Sequence, residues 1–169
     1  VIIVAFAGVA VTGHFQAQVM TEQQPMKMAA AEAIYDTDDT VGFSILSWGD
    51  LSGNETFRLE VPGLASFLAT DDFNGTVEGV NDIQAQLEEQ FGPYEYVPNI
   101  PVAYWSFRLM IGWGALAAFV AAVALILFRG GRNPTSRWLG TLGVLTVLMP
   151  LLANSFGWIF TEMARQPWV

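Results

Sequence analysis

Lys27 and Glu32 lie five residues apart in the stretch Gln23-Gln24-Pro25-Met26-Lys27-Met28-Ala29-Ala30-Ala31-Glu32-Ala33-Ile34, just after an apolar run and just before a long acidic segment. A cation and a carboxylate at a membrane edge can together hold and deprotonate a polar, redox-active headgroup. On a helix, five residues turn through about 140°, so the two do not form a simple neighbouring ion pair. Gln24 and Lys27 share a face, as do Met28 and Glu32. The same spacing suits an amphipathic surface helix whose charges are merely solvated.

Two further groups of residues invite chemistry. In Phe107-Arg108-Leu109-Met110 a cation at an interface precedes a thioether slightly deeper in an apolar helix. Methionine is a common core filler, and it is also an axial haem ligand that, opposite histidine, gives a low-spin centre of raised potential. Arg108 suits haem propionates or lipid headgroups. Near the end of the chain, Trp158, Glu162 and Arg165 stand about one turn apart on a single face. Glu162 is the one acid outside residues 14–100, and an ionisable group at the end of an apolar helix is a functional candidate. An aromatic belt of Trp158 and Trp168 with an interfacial Glu162–Arg165 pair is the plainer alternative.

The elements that must position these residues are membrane helices. Apolar residues make up 53% of the chain and mean hydropathy is +0.40, above the soluble range for this length. Residues 109–128 and 138–161 are uncharged over 20 and 24 positions, each enough to cross roughly 30 Å of hydrocarbon. Residues 1–13 are apolar but short, and read as the end of a truncated transmembrane helix. Pro150 should kink the last span, while Gly114, Ala118 and Ala122 mark close helix packing. The expected organisation is mainly α: the helix end at 1–13, an outer loop at 14–100, a helix at 101–128, a cytoplasmic loop at 129–137, a helix at 138–163 and a tail at 164–169.

Charge sets the orientation. The 129–137 loop carries three arginines and should stay cytoplasmic, which puts 14–100 outside. That loop holds 15 acids against Lys27 and Arg58, a balance that excludes nucleic acid as a partner. Residues 22–35 should form a short helix with Pro25 in its first turn, residues 41–48 and 56–61 a β-hairpin turning at 49–54, and residues 82–90 another helix ending near Gly92. There is no repeat or low-complexity tract. His14, alone at a span boundary, reads as a hydrogen-bonded interface residue. Asp36-Thr37-Asp38-Asp39 fails as a calcium loop, because Val41 and Ser47 stand where glycine and glutamate are required. Asn54-Glu55-Thr56 and Asn74-Gly75-Thr76 match the glycosylation sequon, a weak pattern. With no cysteine, disulfides and thiolate metal sites are excluded.

Taken in order, Gln24-Pro25-Met26-Lys27 with Ala29-Ala30-Ala31-Glu32, Ser106-Phe107-Arg108-Leu109-Met110, and Gly157-Trp158 with Glu162 and Arg165-Gln166-Pro167-Trp168 resemble subunit I of cytochrome bd quinol oxidases over essentially the whole chain. The resemblance implies an electrogenic quinol:oxygen oxidoreductase of the bacterial plasma membrane, in which quinol is oxidised at the outer face and oxygen is reduced to water. It implies that Lys27 and Glu32 serve quinol oxidation with Gln24 beside them, and that Met110 ligates the iron of haem b558 next to Arg108. Glu162 would serve the high-spin pair, haem b595 and haem d or a b-type haem in its place, with Trp158 and Arg165 nearby. Implied partners are the rest of subunit I, subunit II, small accessory subunits, lipid, quinol and oxygen. The histidine ligands and a proton-path acid of the family lie on earlier helices that this chain lacks, and His14 matches none of them, so the piece alone is expected to be inactive. Its outer loop is also shorter than in members with an extended one. A non-enzymatic membrane scaffold with an acidic outer interaction domain is the rival reading.

Overall fold

The computed structural model describes residues 1–51, 54–129 and 137–167. Trp168, the centre of the hairpin turn at 52–53, and residues 130–136 of the arginine-bearing loop lie outside the described residues. So do the side chains of the first sequon, Asn54-Glu55-Thr56.

Among the described residues, three helices are long and apolar enough to cross a membrane: α1 (Ile2–Gln23), α5 (Ile100–Leu127) and α6 (Arg137–Met163). The first corrects the expected boundary at residue 13, because α1 runs 22 residues and takes in the start of the expected outer loop. The apolar run ends there but helix propensity does not, since Gln16, Gln18, Met20 and Glu22 all favour helix. What ends α1 is Pro25, whose ring disfavours helical geometry in the residue before it, and Gln24 accordingly leaves the helix at φ −143°. Proline then suits the first position of α2 (Pro25–Glu32), where its missing N–H is no loss.

At the other spans, Asn99 caps α5 by accepting the Val102 N–H at 3.1 Å, and Pro101 occupies the first turn. This start lies nine positions ahead of the uncharged stretch, so Arg108 sits two turns inside the helix. α5 and α6 pack as an antiparallel pair, α1 lies against α5 with Phe6 near Gly114, and α6 continues through Pro150. Outward residues such as Val4, Phe119, Ile126, Val144 and Leu151 are apolar and exposed, as helices facing lipid or further helices must be.

Between α1 and α5 comes a polar unit. Short strands β1 (Asp38–Asp39) and β4 (Thr76–Val77) pair antiparallel, and β2 (Phe43–Asp50) pairs with β3 (Asn54–Val61) as the expected hairpin, Phe43 opposite Val61 and Ser47 opposite Arg58. α3 (Leu64–Thr70) was not anticipated. α4 (Val80–Phe91) is, and it stops at Gly92, whose φ of +107° suits glycine. Gly79 is required at the start of α4, since a Cβ there would stand 2.5 Å from backbone atoms of Tyr35 and Asp36.

Two apolar clusters hold this unit to the membrane helices. One joins Met26, Ala29, Ala30 and Ala31 of α2 to Val80 and Ile83 of α4, Ala103 and Tyr104 of α5, and Phe160 and Ala164 at the end of α6. The other packs Met28 and Ile34 against Val41, Ala65, Ala69 and Val77. Lying between them, α2 is touched on every side, and Ala29, Ala30 and Ala31 are fully buried.

Candidate functional site

α2 brings its two ionisable residues to opposite surroundings. Its alanines carry no side chain beyond Cβ, so α4, α5 and α6 can approach the backbone closely and place their own side chains around Lys27 and Glu32. The three regions expected to meet at one surface, α2, the start of α5 and the end of α6, do meet there.

Glu32 is completely buried at the last turn of α2. Arg108 Nη2 donates to its Oε2 at 2.7 Å, and the Ser44 N–H donates to the same oxygen at 3.1 Å. A helix C-terminus exposes unpaired carbonyls and a negative dipole end, which makes it a poor place for a carboxylate. Two arginines answer this: Arg108 Nη1 donates to the Ala31 carbonyl, and Arg58 Nη2 donates to the Glu32 carbonyl at 3.2 Å. Arg108 also donates from Nε to the Ser44 carbonyl at 3.0 Å and lies 3.7 Å from the ring centre of Tyr104. Burial raises the Glu32 carboxyl above the usual carboxylate range, opposed in turn by the charge of Arg108, the Ser44 N–H and Arg58. Its other oxygen, Oε1, is buried without a hydrogen-bond partner among the described residues. An orphaned acceptor of this kind costs about 1–3 kcal/mol and marks a place where a donor can bind.

Lys27 faces the opposite way. Its ammonium lies 5.3 Å from the Phe160 ring centre, and burial, then the charge of Arg165, lower its pKa, with Glu162 opposing. A cavity of about 500 Å³ opens beside it, with Gln24 and Lys27 on one wall, Leu87 and Phe91 of α4 on another, and Arg165 and Gln166 closing it. Glu32 is not among its lining residues.

The other expected residues divide. Arg165 Nη2 donates to Glu162 Oε2 at 2.6 Å, so these two meet as one face of α6, whereas Trp158 on that face is exposed. Met110 lies deeper, against α6, where a Cβ on Gly157 would stand 2.9 Å from its sulfur. Glycine at 157 therefore leaves room for the thioether. Three of the five N–H groups of Arg108, one each on Nε, Nη1 and Nη2, donate within the chain. His14 is hydrogen-bonded at 2.7 Å to Asp71 and stacks on Phe67. Ser44, Tyr104 and Arg58 were not singled out as site residues from the sequence. Only Arg58 left a trace there, as one of two bases in an acidic stretch.

Among the described residues, three helices long and apolar enough to cross a membrane carry a polar unit at one end, with a carboxylate–arginine pair buried inside it and a cavity alongside, the organisation of a membrane protein. The profile of one family, described as "Cytochrome bd terminal oxidase subunit I", matches residues 1–169, and the chain belongs to that family. It is 37% identical over 163 residues to the cytochrome bd ubiquinol oxidase subunit 1 of Bacillus subtilis, covering 95% of this chain and 35% of the relative. With the cytochrome bd-II ubiquinol oxidase subunit 1 of Escherichia coli K12 it shares 23% identity over 222 aligned positions, covering 97% of this chain and 43% of that one. The solved bd oxidase of Geobacillus thermodenitrificans superposes with a TM-score of 0.81 at 26% identity, over 98% of this chain and 36% of the matched one. The chain thus spans less than half the length of each of these relatives.

Proposed function

We propose that this chain supplies the quinol-oxidising part of subunit I of a bd-type terminal oxidase, with Glu32 as the group that accepts a proton from quinol. The observation that carries this reading is the Glu32 carboxyl itself: wholly buried, held through Oε2 by Arg108, and offering an unpartnered Oε1. A base with a raised pKa works nearer neutral pH than a free carboxylate does. On the other side of α2, Lys27 and Gln24 would be separate contacts for the quinol, beside a cavity with an apolar α4 wall that Glu32 does not border. The two B. subtilis and E. coli relatives are named ubiquinol oxidase subunits, which supports quinol as the class of substrate. The positive-inside rule supports an extracytoplasmic position for this unit in a bacterial plasma membrane, with protons released there.

Met110 would ligate the low-spin haem b558 and Glu162 would serve the high-spin haem b595 and haem d pair, with Trp158 and Arg165 near them. The donors fit in kind: a half-buried thioether beside a glycine, and a half-exposed carboxylate paired with Arg165. Haem iron takes most of its ligands from the porphyrin itself, so each of these residues would supply a single protein ligand. When bound, haem supplies one-electron acceptance and oxygen reduction. The remainder of subunit I, subunit II and small accessory subunits complete the enzyme around lipid, and nucleic acid has no place in it. Arg108, tied to Glu32 through one of its N–H groups, would also stand beside the low-spin haem.

The test is Glu32→Gln in the complete complex. Quinol oxidase turnover should fall by about 10²-fold or more with haem spectra unchanged. Unchanged turnover would refute the reading and favour a scaffold role for the outer unit.

A further inference from the structure

Among the described residues, Ser44 hydrogen-bonds to both members of the buried pair and to Tyr104. Its N–H donates to Glu32 Oε2, its carbonyl accepts from Arg108 Nε, and its hydroxyl meets the Tyr104 hydroxyl at 2.5 Å. Ser44 and Tyr104 are both fully buried, and they come from a loop strand and a membrane helix 60 residues apart. Tyr104 meanwhile presents its ring to the Arg108 guanidinium at 3.7 Å. The register of the hairpin slips between Ser44 and Leu46, so β2 is irregular where Ser44 turns its backbone to Glu32 and Arg108. A backbone at such an irregularity is not fixed by the strand ladder alone.

From this geometry we infer that the Tyr104–Ser44 hydroxyl pair is a positioning device for quinol oxidation, pinning β2 to α5 so that the Ser44 N–H and Arg108 keep their hydrogen bonds to Glu32 Oε2. The inference rests on the proposed role of Glu32. Neither hydroxyl touches Glu32 Oε1, so neither residue is catalytic. They act through the groups that do touch the carboxyl.

The charged and titratable groups facing Glu32 are Arg108 from α5, Arg58 from β3 and, through Arg108, the Tyr104 phenol. Arg58 is in turn paired with Glu60 at 3.0 Å. The arginines keep their charge throughout the working range, so the variable element is the hydrogen bonding to Oε2. Losing the pin lets the Ser44 N–H drift from that oxygen, which removes a donor to the charged form and makes ionisation harder. The acid limb of the rate profile should move toward higher pH.

The experiment compares Tyr104→Phe, Ser44→Ala and the double variant in the complete oxidase, with Glu32→Gln alongside. Tyr104→Phe keeps the ring over Arg108 and removes only the hydroxyl. The expected result is a fall in kcat of about three- to tenfold on the acid side, little change in KM, and recovery toward the parent rate at alkaline pH. The double variant should match the single ones, because all three lose the same bond. A uniform loss at every pH, an unchanged profile, or additive losses in the double variant would overturn the positioning role. If Glu32→Gln retains full turnover, the reading of Glu32 fails instead, a result the hydroxyl variants cannot mimic.

Discussion

The two sides of α2 treat ionisable groups in opposite ways. On one, Lys27 is half-buried beside a cavity, and its partners Phe160, Arg165 and Glu162 all come from α6 or the segment after it. On the other, Glu32 is sealed, with partners drawn from α5, β2 and β3. Burial is the leading influence on both, lowering the lysine and raising the carboxyl, so each is pushed toward its neutral form. The difference lies in what opposes burial. Glu32 has a full guanidinium in contact, whereas Lys27 has a distant carboxylate outweighed by another cation. On one side a contacting guanidinium opposes the burial of a charge, and on the other the opposing charge is the weaker of the two nearby.

The strongest way to break this contrast is to remove the guanidinium. Arg108→Leu removes the guanidinium from the buried Glu32 carboxylate and frees the Ala31 carbonyl of α2, at a cost of roughly 3–5 kcal/mol. The yield of folded complex should drop sharply, and a yield close to the parent's would mean the pair is not what secures α2. Next in size, Ala30→Leu forces a large side chain into a fully buried position and should cost about 1–3 kcal/mol, read as a lowered melting temperature of the detergent-solubilised complex.

Acidity gives a finer test with opposite signs on the two sides. Because the Glu32 pKa is raised on folding, its contribution to stability is fully present below the unfolded value of about 4.5 and is lost as pH rises through the folded value. Glu32→Gln should remove that decline, so the difference in melting temperature between variant and parent should grow in the variant's favour across that window. Lys27 is lowered on folding, so its unfavourable contribution persists at neutral pH and lifts only as pH climbs from its folded value toward 10.5. The smallest effect is expected from Lys27→Met, with stability within about 0.5 kcal/mol of the parent. Its mark should be a raised KM for quinol, and an unchanged KM would remove Lys27 from the substrate's surroundings.

Much of this architecture was legible beforehand, for identifiable reasons. Long uncharged stretches locate α5 and α6, turn residues locate the hairpin, and proline and alanine locate α2. The boundary at residue 13 failed because loss of hydrophobicity is not loss of helix: the residues beyond it are polar but strong helix formers. α3 escaped notice because a seven-residue helix has too few turns to display a period. Within the site, Lys27 and Glu32 stood out by charge against an apolar background, and topology placed Arg108 at the same surface. That Arg108 belongs to Glu32 was not legible, since 76 residues separate them and no spacing rule connects a loop helix with a membrane span. Ser44 and Tyr104 left no signal at all. Their importance lies in backbone and hydroxyl groups that meet only once the hairpin has docked.

The fully enclosed alanines of α2 carry a consequence for how such a chain can vary. The E. coli relative aligns over 222 positions, more than the 169 residues present here, so related chains accommodate dozens of residues that this one does without. Extra length can leave the surface as a loop at small entropic expense. Extra girth at Ala29, Ala30 or Ala31 has nowhere to go, because four helices and a hairpin already converge on them. Engineering of this chain thus has latitude in length at the surface and almost none in the cross-section of this eight-residue axle.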